Sequence, residues 1–210
     1  MAIADVLVIA APATLEPGEV DAPFYAELSA AGGTAPYTYS TPSPLPAGLS
    51  LTPDGILSGV PTLTGYFPFT VEVTDSASSP GPYHGARGYV LIIRPKAESL
   101  SISVNSGSSD NVVPVAVSEG EVDRVDVTEP EHGTAVAAGK TVTYTAARGF
   151  AGTDRFAYTA TGPGGTSDPA TVTVTVTPIA VTLTPRRPAR RPSRLGLRPD
   201  GRRERRHRAL

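Results

Sequence analysis

The 210-residue chain has 21 Gly, 22 Pro, one Met, no Cys and no Trp, and a formal net charge of −2. That balance joins two unlike parts: residues 1–185 hold 7 Lys+Arg against 18 Asp+Glu, net −11, and residues 186–210 hold 11 Arg against Asp200 and Glu204, net +9. The lack of cysteine excludes a disulfide framework, a thiolate nucleophile and Cys-ligated zinc or iron–sulfur sites, and three histidines, His84, His132 and His207, leave little for acid–base chemistry.

The first apolar run, Val6 to Ala11, is too short to span a bilayer. Asp5 sits beside it and no basic segment precedes it, so it reads poorly as a signal peptide; if the protein is exported, its signal lies upstream of this sequence or is missing. Strands are then predicted at Phe24–Leu28 and Tyr37–Ser40. Over Tyr66–Thr74 the residues Phe67, Phe69, Val71 and Val73 alternate with polar or small ones, and Gly88–Arg94 follows as a further apolar strand. The second half offers Leu100–Val104, Val112–Val117, Arg124–Val127, Val142–Thr145, Arg155–Ala160 and the unbroken Thr/Val alternation of Thr171–Thr177. Period two with β-branched residues marks half-buried strands of antiparallel sheets. Turn signals separate them: Gly32-Gly33, Pro53-Asp54-Gly55, Ser79-Pro80-Gly81-Pro82, Ala138-Gly139 and Gly162-Pro163-Gly164-Gly165. No window carries an apolar stripe at helical spacing, so the fold class is all-β, in sandwiches.

A boundary is placed at Arg94-Pro95-Lys96-Ala97-Glu98, where an apolar strand runs into a charged, Pro-containing link. Thr171–Thr177 closes a second unit at Pro178. The runs Val6–Pro12 and Ile179–Pro185 look like two openings of one kind of unit, which suggests a piece of a longer array. The expected organisation is 1–95, 96–178, and 179–210 as the start of a further repeat running into the tail: two tandem Ig-like β-sandwiches and a disordered Arg-rich C-terminal tail.

Gly32-Gly33-Thr34-Ala35-Pro36-Tyr37-Thr38-Tyr39, Leu45-Pro46-Ala47-Gly48-Leu49, Asp54-Gly55-Ile56-Leu57-Ser58-Gly59-Val60-Pro61 and Phe69-Thr70-Val71-Glu72-Val73-Thr74-Asp75 occur in order. Together they resemble the putative-Ig (He-PIG type, cadherin-like) repeat of bacterial surface proteins, over about residues 6–94. In the second unit Gly133-Thr134, Val142-Thr143-Tyr144-Thr145, Gly149-Phe150-Ala151-Gly152-Thr153-Asp154 and Gly164-Gly165-Thr166-Ser167 resemble the tandem Ig-like, cadherin-like domains of large bacterial adhesins. Gly162-Pro163 stands where those domains commonly have an Asp-Gly turn. The resemblance implies a non-enzymatic repeat segment of a cell-surface, outer-membrane-associated or extracellular protein. Its expected role is an adhesive stalk or spacer, and its expected partners are neighbouring Ig-like repeats and host-surface or extracellular glycans or proteins.

The same resemblance raises calcium, and with it the alternative of a calcium-dependent adhesion or carbohydrate-binding module. Asp75, Asp154 and Asp168 are the metal candidates. A calcium site needs six to eight converging oxygens, whereas the acids here are scattered along the sequence, so the favoured reading is solvated turn and strand-edge carboxylates with no cofactor. For Asp154 the specific expectation is a turn residue that bonds nearby backbone N–H groups. Tyr83, in its Pro/Gly loop, is the candidate for sugar stacking; Tyr37 and Tyr39 share a face and are assigned to packing. His84, in the same hairpin loop, and His132, beside a turn, are read as exposed bystanders. No Gly-x-Ser-x-Gly elbow or Ser/His/Asp arrangement appears, and no catalytic residue is assigned. Eleven Arg in the tail could neutralise phosphates, but the tail begins where a further repeat should be under way. In a GC-rich gene most Arg codons are CGN; read one base later, CGN followed by C becomes GNC, which gives Gly, Ala, Val or Asp. The tail is therefore read as a frame-shifted or misassembled repeat start, with no nucleic-acid partner expected.

Overall fold

The computed structural model describes residues 6–117 and 122–179, and every regular element among them is a strand. The Arg-rich tail lies outside the described residues, as do Glu119 and Glu121. The first domain contains β1 (Val8–Ala11), β2 (Gly18–Glu19), β3 (Phe24–Glu27), β4 (Ser29–Ala31), β5 (Thr38–Ser40), β6 (Leu49–Leu51), β7 (Ile56–Gly59), β8 (Gly65–Thr74) and β9 (His84–Arg94). The second contains β10 (Ala97–Glu98), β11 (Leu100–Asn105), β12 (Asn111–Val113), β13 (Ala116–Val117), β14 (Arg124–Val127), β15 (Gly133–Ala138), β16 (Thr141–Ala146), β17 (Gly152–Gly162), β18 (Gly165–Thr166) and β19 (Ala170–Thr177).

Each domain is two facing sheets around its own core. In the first, β2-β9-β8-β5 faces β3-β7-β6, with β1 paired to β4; in the second, β11-β19-β17-β14 faces β12-β16-β15, with β18 extending β17. The alternation works as read. Phe69, Val71 and Val73 of β8 and Tyr89, Leu91 and Ile93 of β9 belong to the first core, all at 5% exposure or less. On β19, Val172, Val174 and Val176 are buried while the intervening threonines stay outside the core. Burying such a Val contributes about 1.5–3 kcal/mol over leaving it exposed, so these two strands anchor their sandwiches. Asp54-Gly55 closes the β6–β7 hairpin as expected, with Gly55 at φ 90°, a conformation that favours glycine.

Three features depart from the sequence reading. The predicted strand Val112–Val117 is two strands: Pro114 cannot donate to a ladder, and the chain changes partner there, from β16 for β12 to β10 for β13. β15 was not expected, since Ala135, Ala137 and Ala138 give it weak strand character; it forms through six paired residues against β16. The sheets are also not wholly antiparallel. β2 runs parallel to β9, and β11 parallel to β19 over six residues.

Candidate functional site

The residues singled out in the sequence fall into two buried anchors and one junction between the domains. The first anchor is Asp75, directly after β8 and only 5% exposed. Its Oδ2 accepts the Thr34 N–H at 2.9 Å, and its Oδ1 accepts those of Tyr83 at 2.7 Å and Ala77 at 3.3 Å. Burial pushes its pKa up, but the N–H bonds from Tyr83, Thr34 and Ala77, with His84 nearby, outweigh that and hold it below the ordinary carboxylate value. Gly33, at φ 62°, lets the loop approach; a Cβ there would lie 2.6 Å from Asp75 Oδ2. Asp75 thus ties the 32–36 turn to the 76–83 loop and fixes Tyr83, which is 39% exposed. The structure therefore joins two of the sequence candidates, Asp75 and Tyr83, through two hydrogen bonds: the Tyr83 N–H donates to Asp75 Oδ1, and the Asp75 N–H donates to Tyr83 O at 3.1 Å. His84 opens strand β9 rather than lying in the loop, its Nδ1 2.9 Å from Thr74 Oγ1.

The second anchor is Asp154 in β17, 2% exposed. Its Oδ1 accepts the N–H groups of Glu131 at 3.1 Å and Arg155 at 2.9 Å; its Oδ2 accepts the His132 N–H at 3.1 Å and the Tyr144 hydroxyl at 2.8 Å. This corrects two expectations. Asp75 and Asp154 are buried rather than solvated, and three of Asp154's four donors lie ten or more residues away, so it is not a local turn residue. A buried carboxylate is tolerated because every oxygen has charge-assisted partners. Burial, with the Asp154 hydrogen bond and charge adding, pushes the Tyr144 hydroxyl far above its usual value. His132 stacks on Phe150 at 4.0 Å between ring centroids, so it packs as well as bordering a turn.

Asp168, the third acidic candidate, is exposed and belongs to the junction. It accepts a hydrogen bond from Arg94 Nη1 at 3.1 Å, joining the second domain to the last residue of β9. Beside it the Gly162–Gly165 turn meets the first domain. A Cβ on Gly164 would run into the Ile93 carbonyl oxygen and lie 2.7 Å from its carbon and 2.9 Å from Gly65 N. On the link, Lys96 Nζ is 2.9 Å from Glu98 Oε1. That hydrogen bond and the Glu98 charge, then Glu19 and Asp21, hold the Lys96 pKa above its ordinary value despite partial desolvation. Asp21, Lys96, Glu98, Ala116 and Val117 line a cleft of about 140 Å³. Behind it the buried Tyr158 hydroxyl accepts the Glu98 N–H at 3.1 Å and lies 2.6 Å from Glu98 O and 2.8 Å from Ala116 O.

In the sequence Arg94 and Lys96 read only as a charged link and Gly164 only as a turn; the signal present there is the glycine-rich run followed within four residues by an acid. Asp75, Asp154 and Asp168 stand apart, and among the described residues no three His, Cys, Asp or Glu side chains cluster as a metal site. Among the same residues no helix is long and apolar enough to cross a membrane.

Comparison with known proteins identifies both halves. Residues 7–92 match the family described as "Putative Ig domain", and residues 94–175 the family described as "Bacterial Ig domain". No curated protein matches the chain. Solved structures similar to it include the protocadherin GammaB4 extracellular domain, at 14% identity over 81% of this chain and 34% of that one, with a TM-score of 0.36. Mouse cadherin-23 EC22-24 aligns at 13% identity over 83% of this chain and 64% of its own, with a TM-score of 0.34. The Clostridium thermocellum CbhA fibronectin(III)-like modules align at 13% identity over 82% and 95%, with a TM-score of 0.28. The chain spans less than two thirds of the length of either cadherin structure. It is a tandem of two Ig-like domains, the first matched by the Putative Ig domain family and the second by the Bacterial Ig domain family.

Proposed function

We propose that the chain is a non-enzymatic spacer: a stalk segment of a bacterial cell-surface or secreted protein that carries an adhesive region away from its anchorage. The observation that carries this reading is the junction. Domains on a bare flexible linker move independently, whereas a spacer needs contacts that fix one domain on the next. Here the Gly164 turn seats on backbone of Ile93 and Gly65, and Arg94 pairs with Asp168. The junction's acids already face cations of the chain itself: Asp168 faces Arg94, and Glu98, Glu19 and Asp21 surround Lys96. Alignment of the domains on this reading requires no calcium. The buried carboxylates support it too, since Asp75 and Asp154 give their oxygens to structural donors rather than to a cleft. The net charge of −11 over residues 1–185 keeps such a segment soluble. Its partners are neighbouring Ig-like repeats and, through the region it carries, host glycans or proteins.

Residual dipolar couplings of the backbone amides in calcium-free buffer test the reading. A spacer gives both domains one alignment tensor; tensors of different magnitude for the two domains would refute it.

A further inference from the structure

The far pole of the second domain repeats the surface that the first domain offers to the Gly164 turn. In the first domain that surface is the start of β8 against the end of β9. Gly65, at φ 145°, pairs with Ile93, and Pro95 follows two residues later. In the second domain β17 begins at Gly152, φ 148°, paired with Val176, and Pro178 follows two residues later. Each glycine borders a phenylalanine ring: a Cβ on Gly65 would lie 3.5 Å from Phe67, and one on Gly152 3.3 Å from Phe150. Glycine at these φ values is a structural requirement, because other residues are strained there. Two domains of different families that keep the same glycine, pairing position and proline keep the same landing surface.

At this second pole nothing among the described residues covers the surface. Ser106, Arg148, Ala151, Pro178 and Ile179 line a cleft of about 350 Å³, and Ile179 is 65% exposed. Arg148 has no ion-pair partner among the described residues. Thr177 takes the register position of Arg94, and its hydroxyl is bonded to Val104 O and Asn105 Oδ1, so the cation of this pole is Arg148.

We infer that this pole is a docking site for a further Ig-like domain, which seats a glycine-apex hairpin turn on Gly152 and Val176 and pairs a carboxylate beyond that turn with Arg148. The occupant is fixed by the one seen at the equivalent surface: the Gly162–Gly165 turn with Asp168. The inference rests on the spacer reading and extends it from one junction to a repeating mode of assembly.

The test uses residues 1–178 followed directly by a second copy of residues 96–178, so that Pro178 takes the place of Pro95. The chain has no cysteine, so spin labels can be placed at chosen sites, one pair across each junction. The inference predicts two narrow distance distributions of the same width. It also predicts that Gly164→Val in the appended copy alone, or Arg148→Glu, costs the second distribution its narrow peak and leaves the first unchanged. Amide spectra of the appended copy establish that each variant is folded. A broad second distribution beside a narrow first overturns the inference and leaves the spacer reading standing. Broad distributions at both junctions overturn the two together.

Discussion

Replacing Gly164 with valine attacks the junction without touching either core. Gly164 is not at positive φ, so a side chain does not strain its own turn. The added Cβ would lie 2.7 Å from the Ile93 carbonyl carbon and 2.9 Å from Gly65 N, where Cβ atoms essentially never come within 3.0 Å. Both neighbours are backbone in the two long strands of the first domain and cannot rotate aside, so the domains must part by on the order of 1 Å. The Arg94–Asp168 contact, 3.1 Å now, then lengthens toward the 4 Å limit of an ion pair. With Asp168 72% exposed, that pair is worth no more than about 1 kcal/mol. The melting temperature should therefore fall by no more than about 4–8 °C, while the common alignment of the domains is lost. In amide spectra, shift changes should concentrate at residues 63–66, 92–96 and 162–168. Gly88→Thr is the control: nothing lies within 4 Å of its Cβ position, and filling a strand glycine should add roughly 0.5–1 kcal/mol with alignment unchanged. Superimposable couplings for native protein and Gly164→Val would refute the reasoning.

The buried anchors give further predictions. Asp154→Ala leaves the Tyr144 hydroxyl and three backbone N–H groups without their acceptor. It should cost at least about 2–3 kcal/mol in urea unfolding, and a loss under 1 kcal/mol would contradict the network. Asp75 titrates lower in the folded than in the unfolded chain, so the unfolded state binds more protons in the interval between. Its contribution is complete above about pH 4 and disappears as the pH falls through the folded value. Asp75→Asn should accordingly melt below wild type at neutral pH, with the gap closing below about pH 4; a gap that widens in acid would reverse the sign argued here. Excess calcium should leave the melting temperature where a chelator leaves it, because a ligand that binds only the native state must raise it.

The sandwiches were legible where one strand carries its own signal. Tyr66–Thr74 and Thr171–Thr177 alternate strictly, and β-branched or aromatic residues at every second position leave one face to bury. Two-residue strands such as β2 and β10 carry no period and exist only because a partner strand lies beside them. Pro114 was visible as a residue, yet a run of valines around it outweighed its missing N–H in the reading. The anchors were hidden for a different reason. The donors to Asp75 and Asp154 are mostly main-chain N–H groups, which every residue possesses, and they lie up to 41 residues away. Nothing in the side-chain pattern marks which carboxylate will meet them. The junction was hidden likewise, because Gly164 matters through what it lacks and its neighbours are backbone atoms some seventy to one hundred residues earlier.

On the spacer reading the tandem is held in one arrangement by its own atoms, the Gly164 turn on backbone of the first domain and Arg94 on Asp168. A single spin-label pair across the Arg94–Asp168 junction, read in chelator and again in excess calcium, tests it most directly. One narrow distance distribution is expected, the same in both conditions. A distribution that is broad in chelator and narrows on adding calcium would contradict it.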